Sequence, residues 1–264
     1  GPMTTQSSTN STQPSVSSSL GIVVATSDGS LTLSHHEHGE CYHTRAGALA
    51  EAHHLYVVAS GLQELWRQPE PPAVSVLDVG LGLGYTAIVT LDAWAESPNA
   101  GPMSLVSLEI NGDLVPPLAT GEAPWQANWP ESRKAFCRQL RKIDKNNWRA
   151  TLSHPSSGAI ATWDIHVGDA ATEEIPTSPT LGGYSHVWQD PFSPGKNPPL
   201  WQAAWFVRLR KAVLPDCQMV TYSVAVPVRA ALDASGWLWE KIPAAMPGKR
   251  KRHWLRASPR ACAG

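Results

Sequence analysis

The sequence predicts an α/β fold: a mostly parallel sheet with helices on both faces. Three observations carry this expectation. Across residues 75–236, short runs rich in apolar and β-branched residues alternate with segments of helical periodicity, which is the order of strand–helix–strand units in a parallel sheet. Four of the strand-like runs end in an acid or a glycine cluster, at the end where open parallel sheets bind ligands. The chain has 264 residues and is 42% hydrophobic, enough to bury a sizeable core.

The elements follow in chain order. Gly1-Pro2 before Met3 reads as a scar of tag cleavage, and residues 4–19 are rich in Ser, Thr, Gln and Asn. Residues 1–20 are therefore expected to be a disordered tail. "VVATSDGSLTLSHHEHGECYH" alternates polar and apolar residues around Asp28-Gly29, a β-hairpin pattern. "TRAGALAEAHHLYVVASGLQELW" carries Ala46, Leu49, Ala50, Leu55, Tyr56, Ala59 and Leu62 at helical spacing, giving a helix or two. Together these make a small hairpin-and-helix extension over residues 21–70. The main domain is expected over residues 71–258, with a short tail at 259–264. Its strands are expected at 75–80, 103–110, 162–169, 184–190 and 217–223. Its helices are expected at 85–97, 131–148, 198–216 and 226–236, the third started by prolines and the last stopped by Gly236. "WLWEKIPA" and "KRHWLRA" can pair as a closing antiparallel hairpin.

Composition excludes several classes. No apolar run approaches the roughly 20 residues of a membrane-spanning helix, and the N-terminus shows no signal-peptide pattern. Cys41, Cys137, Cys217 and Cys262 are widely spaced, so neither a zinc knuckle nor a disulfide framework is expected. Reduced thiols and a cytoplasmic protein are expected. His35 to His38 read "HHEH", but the spacing is cramped and no distant ligand set accompanies it. No metal is expected. The net charge of −1 conceals an asymmetry: residues 1–132 hold 2 Lys/Arg and 13 Asp/Glu, whereas residues 133–264 hold 19 and 9. Either one face suits a polyanion or the halves neutralise each other across the fold.

The chemistry concentrates at strand ends. "LDVGLGLGYTAI" places Asp78 before Gly80, Gly82 and Gly84. Glycines between a strand and a helix let the backbone approach a ligand and take positive φ. A dinucleotide fingerprint wants glycine at its sixth position, which here is Tyr85. An acid followed by G-x-G-x-G instead resembles S-adenosylmethionine-dependent methyltransferases, and so implies a Rossmann-like methyltransferase fold. In that frame Asp78 holds the cofactor's ammonium, Glu109 accepts from the ribose hydroxyls, and Asp169 accepts from the adenine amine.

Asp190 ends the fourth strand and opens a stiff loop, "DPFSPGKNPPLW". A carboxylate there can hold an alkylammonium and assist its deprotonation, so that the free amine attacks a methyl in line. The competing reading is an acid that merely caps the next helix.

The loop also matches D-x-F-[SA]-P-x-K-N-P-x-[LM]-W, through Asp190, Phe192, Ser193, Pro194, Lys196, Asn197, Pro198, Leu200 and Trp201. This is the signature of the MnmC/MnmD-like tRNA methyltransferase family, which the chain resembles over roughly residues 23–257. "GECYHTRAGALAEAHHLYV" is similar to an upstream element of that family, matching at Tyr42, His43 and Glu51. "DGSLTL" and "PGKRKRHWLRA" are similar as well.

The resemblance implies transfer of a methyl group from S-adenosyl-L-methionine to the aminomethyl group of a wobble uridine in the tRNA anticodon stem-loop. Asp190 would be the catalytic residue, with Glu51 and Tyr56 joining Asp78, Gly80, Gly82, Gly84, Glu109 and Asp169 at the cofactor. His43, Phe192, Pro194, Lys196, Asn197 and Trp201 would face the substrate, and Lys249 and Arg250 would grip phosphates. For Trp201 a packed helix start is the other reading.

The sequence departs from the family pattern at Pro191, usually a small residue, and at Leu83, where several relatives have Thr. It carries no counterpart of the flavin-dependent oxidase half of fused members. The aminomethyl-uridine is then expected to come from a separate enzyme. A small-amine methyltransferase and a catalytically silent RNA-binding module are the rival readings.

Overall fold

A computed structural model describes residues 47–244 and 252–261, together with the backbone of three short strands nearer the N-terminus. Those strands, β1 (Ser17–Ser18), β2 (Gly21–Ala25) and β3 (Leu31–Ser34), form a small antiparallel sheet. The expected hairpin strands pair as β2 and β3, with Val24 opposite Thr32; Asp28-Gly29 lies outside the described residues.

The helical segment that follows is two short helices joined by a wider turn. Helix α1 (Ala48–Ala52) runs into a π-helical stretch over His53–Val58, and α2 (Leu62–Trp66) follows. The Ala59 N–H donates to the His54 carbonyl, five residues back, at 2.9 Å. One extra residue per turn rotates the side chains after it, and such π-bulges occur often at functional sites. Here it turns Tyr56 inward, where it is buried.

The main sheet has nine strands in the order β11-β12-β10-β9-β4-β5-β8-β7-β6. Its centre is parallel: β10 (Val213–Thr221), β9 (Tyr184–Gln189), β4 (Val74–Val79), β5 (Met103–Glu109) and β8 (Ile160–Val167). The chain leaves β4 first to β5 and β8 on one side, then returns to β9 and β10 on the other. The switch point therefore lies between β4 and β9, where such folds open a crevice at the carboxyl ends of the strands. Strands β11 (Trp237–Pro243) and β12 (His253–Pro259) close one edge as the expected antiparallel hairpin, with Trp239 opposite Ala257.

Helix α3 (Tyr85–Glu96) follows β4, and α4 (Val115–Thr120) follows β5. Helix α5 (Glu131–Arg138) packs beyond α4, while α6 (Ala203–Ala212) and α7 (Val226–Ala234) flank β10 in sequence. Two apolar clusters result. One gathers Leu55, Trp66, Val76, Ile88, Trp94 and Trp163. The other gathers Leu77, Val79, Val187, Trp205, Phe206 and Trp237. Consecutive residues of β4 thus serve opposite faces, as the two-residue period of a strand requires.

Two expectations need correction. The helix expected over 131–148 ends at Arg138; β6 (Arg141–Lys142) and β7 (Asn147–Ser153) then form an antiparallel hairpin against β8. Asp144 makes the turn, because its carboxylate accepts from the Asn146 N–H at 2.9 Å and from the Asn147 amide at 2.8 Å. This is the Asx chemistry that competes with helix. Beyond it, Ala150 and Leu152 are buried while Arg149, Thr151 and Ser153 are exposed, a strand alternation hidden behind the charges. The helix expected over 198–216 is a 3-10 turn at Pro198–Trp201, then α6, and the chain is already in β10 at Val213. Pro215 lies inside that strand, at the register irregularity between Val213 and Gln218 where the pairing with β9 is interrupted.

Among the described residues no helix is long and apolar enough to cross a membrane. Cys137 and Cys217 are free and buried, and burial pushes the Cys137 thiol up to about 12. Cys41, Cys262 and the His35–His38 run lie outside the described residues.

Candidate active site

The loop between β4 and α3 holds three glycines in the left-handed region: Gly80 at φ 94°, Gly82 at φ 57° and Gly84 at φ 90°. Gly80 also lacks room for a side chain. A Cβ built there would lie 2.7 Å from the Asp190 carbonyl oxygen and 3.0 Å from the Pro191 Cα. The loop is tied to the next strand as well. The Gly80 and Leu81 N–H groups donate to the Leu108 carbonyl, and the Gly82 N–H donates to Glu109 Oε1 at 2.8 Å. Leu83, the departure from the family pattern, is buried, and its carbonyl accepts from the Trp125 indole at 3.0 Å.

Three carboxylates surround this loop. Asp78 is fully buried at the end of β4. Its Oδ2 accepts from the Ser107 hydroxyl at 2.8 Å, while Oδ1 has no hydrogen-bond partner among the described residues. Burial raises its pKa well above the ordinary value, and the nearby charges of Asp190 and Glu109 add to that against the Ser107 bond. Glu109 ends β5, with Oε1 on the Gly82 N–H and Oε2 on the Asn111 N–H at 3.0 Å. Burial raises its pKa and these backbone donors oppose the rise. A carboxylate has about four lone-pair sites, so room is left for a ligand hydroxyl.

Asp190 follows β9 directly across the switch point. Its N–H donates to the Val79 carbonyl at 3.0 Å, fixing the backbone to β4. Its side chain caps no helix. Oδ1 accepts from the Tyr56 hydroxyl at 2.7 Å and Oδ2 from the Thr86 hydroxyl at 2.9 Å. Burial pushes the Asp190 carboxyl up to about 7; the two hydroxyls pull it down, and the charge of Glu51 pushes it further up.

The Asp190 loop is held by its carbonyls. The Tyr222 hydroxyl donates to the Pro191 carbonyl at 2.6 Å, and the Trp201 indole donates to the Phe192 carbonyl at 2.7 Å. Trp201 and Tyr222 meet edge to face at 5.6 Å. Further on, the Lys196 and Asn197 N–H groups both donate to the Ser193 carbonyl at 2.8 Å. The prolines thus work with cross-chain hydrogen bonds to set one loop shape.

Comparison with known proteins joins this geometry to a family. Residues 131–260 match the family described as S-adenosyl-L-methionine-dependent methyltransferase. The tRNA 5-methylaminomethyl-2-thiouridine biosynthesis bifunctional protein MnmC of Azoarcus sp. (strain BH72) is 29% identical over 225 residues, covering 81% of this chain and 32% of that protein. The MnmC of Aromatoleum aromaticum is 30% identical over 224 residues with the same coverage. The chain therefore spans about a third of the length of the curated relatives it matches. Among solved structures, MnmC2 from Aquifex aeolicus superposes with a TM-score of 0.70 at 24% identity, covering 92% of this chain and 72% of that one. Spermidine synthase from Thermotoga maritima shares the fold at a TM-score of 0.53 and 11% identity, covering 94% and 72%.

The chain carries an MnmC-like methyltransferase domain. It is an S-adenosyl-L-methionine-dependent enzyme with the Rossmann-like α/β fold that the glycine-loop resemblance implies. The strand ends fit that cofactor: a turn of three positive-φ glycines, two acids at adjacent strand ends, and an Asp78 oxygen with no partner among the described residues, which an ammonium group would satisfy.

The residues singled out from sequence do not all meet. Asp78, Gly80, Gly82, Gly84, Glu109 and Asp190 come together at the switch point. Asp169 follows β8 and lines a small pocket with Leu108, Ala170 and Ile175; its Oδ1 also accepts from the Ala171 N–H at 3.0 Å. Glu51 pairs with Arg252 at 3.3 Å, and Tyr56 meets Asp190. Trp201 is buried at the end of the 3-10 turn before α6, Phe192, Pro194 and Asn197 are half-buried, and Lys196 is exposed. His43, Lys249 and Arg250 lie outside the described residues. Sequence reasoning missed Thr86 and Tyr222, which carry no local signal, because only the fold brings them to the Asp190 loop. Ile110, next to Glu109, is 63% exposed.

Proposed function

We propose that this domain methylates the nitrogen of an aminomethyl group on C5 of a wobble uridine in tRNA. The observation that carries the reading is Asp190: a carboxylate with a raised pKa, set across the switch point from the glycine loop. The name of the MnmC relatives, which refers to 5-methylaminomethyl-2-thiouridine biosynthesis in tRNA, supports the choice of amine.

Asp78 would hold the cofactor ammonium through Oδ1, Glu109 would hold the ribose hydroxyls, and Ile110 and Asp169 would hold the adenine. When bound, the cofactor would supply a sulfonium methyl for transfer to the amine nitrogen, its sulfur leaving as the neutral thioether. The chain's own task is to present that nitrogen as a free base. Asp190 accepts a hydrogen bond from the incoming alkylammonium, orients it, and takes one proton onto its carboxylate. A base with a pKa near 7 is matched to that exchange near neutral pH. Phe192 and Pro194 line the approach, where a base unstacked from the RNA would enter. Lys196, Lys249 and Arg250 supply phosphate contacts.

The test is transfer of labelled methyl from S-adenosyl-L-methionine into tRNA that carries 5-aminomethyl-2-thiouridine. Wild-type protein should label the wobble nucleoside and Asp190→Asn should lose at least about a hundredfold in rate, the usual scale of general-base loss. No label in any tRNA fraction overturns the reading.

A further inference from the structure

We propose that Tyr56 and Thr86 are the positioning residues of this site, holding the two oxygens of Asp190 in one orientation relative to the cofactor loop. The proposal rests on the reading of Asp190 as the amine-binding base. The two hydroxyls come from elements far apart in sequence and reach opposite oxygens, at 2.7 Å and 2.9 Å. A carboxylate gripped once can rotate about its last bond; gripped by both oxygens, it presents its remaining lone pairs in one fixed plane.

Each donor is itself held. Tyr56 sits in the π-helical turn, with its ring 5.6 Å from that of Trp188 on β9. The Trp188 indole donates to the Thr90 hydroxyl at 3.0 Å, and that hydroxyl donates to the Thr86 carbonyl at 2.8 Å. Thr86 stands two residues after Gly84, in the first turn of α3. Its bond therefore fixes Asp190 to the loop that carries the methyl donor, which is the pair of positions an in-line transfer must keep constant.

The choice of donor also has a chemical consequence. Neutral hydroxyls orient a carboxylate without cancelling its charge, whereas an arginine would cancel it and compete with the substrate cation. The titratable groups that face Asp190 are Glu51 on α1, Tyr56 itself, and Asp78 at the end of β4, with Tyr222 after β10 alongside Tyr56. Arg252 pairs with Glu51 rather than with Asp190. The surroundings thus favour an incoming cation.

The experiment compares Tyr56→Phe, Thr86→Val and Thr86→Ser with wild type. The Asp190 carboxyl is titrated by 13C NMR on protein labelled at aspartate carboxyls, assigned with Asp190→Asn. The rate of methyl transfer to 5-aminomethyl-2-thiouridine tRNA is followed from pH 5.5 to 9.5. Both hydroxyls favour the ionised carboxylate, so losing either raises the Asp190 midpoint. A rise of about one unit lowers the rate about tenfold below the midpoint, with recovery at high pH. Thr86→Ser keeps the donor and should stay at the wild-type midpoint. Thermal melting and cofactor binding report whether each variant is folded. Midpoints that stay at the wild-type value in folded Tyr56→Phe and Thr86→Val overturn the proposal. Midpoints that move while the acid limb of the rate profile does not would instead overturn the role of Asp190 as base.

Discussion

Gly80 shows how much of this site is decided by a missing side chain. Its φ of 94° and the 2.7 Å approach of the Asp190 carbonyl leave no place for a Cβ. Gly80→Ala is expected to cost about 2 kcal/mol of stability through backbone strain and to weaken S-adenosyl-L-methionine binding in calorimetry. At Gly195 an added Cβ meets nothing within 4 Å, so Gly195→Ala should leave the denaturant midpoint unchanged. The glycines and acids were legible in the sequence because strand–glycine–helix is a local pattern. The hydroxyls on Asp190 were not, because Tyr56 lies 134 residues and Thr86 104 residues away from it. A threonine in the first turn of a helix and a tyrosine in an apolar stripe carry no mark of the carboxylate they will meet.

At the level of elements, the proline loop is rigid for two separate reasons. Prolines limit its unfolded conformations, and Trp201 and Tyr222 secure its carbonyls from outside. Trp201→Phe keeps the ring packing but leaves the Phe192 carbonyl without its indole donor, so it should destabilise the protein by about 1–3 kcal/mol in denaturant melts. An unchanged midpoint would mean that solvent replaces that bond freely. The parallel strands and the closing hairpin were readable from apolar runs bounded by turn residues. The β6–β7 edge was not, because Lys and Arg at surface positions of a strand look like the polar face of a helix; the signal that decides it is the Asp144–Asn147 turn.

For the molecule as a whole, the opposed charges of the two halves partly meet. Arg133 pairs with Asp92 at 2.8 Å and Arg252 with Glu51 at 3.3 Å, each joining the basic half to the acidic one. The crevice works against this balance by keeping acids together. The folded pKa of Asp190 is raised to about 7 from an ordinary 3.8, so the folded state holds a proton that the unfolded chain releases earlier. Its contribution to stability is therefore full below about pH 4 and lost as pH rises towards 7. The stability of the ligand-free protein relative to Asp190→Asn should fall across that window, and a pH-independent difference would contradict the raised value. The contact between Gly80 and the Asp190 carbonyl has a thermodynamic side as well. A ligand that shifts the acid's backbone must shift the turn beside the cofactor. The two affinities are then linked by a coupling free energy that is the same whichever ligand arrives first.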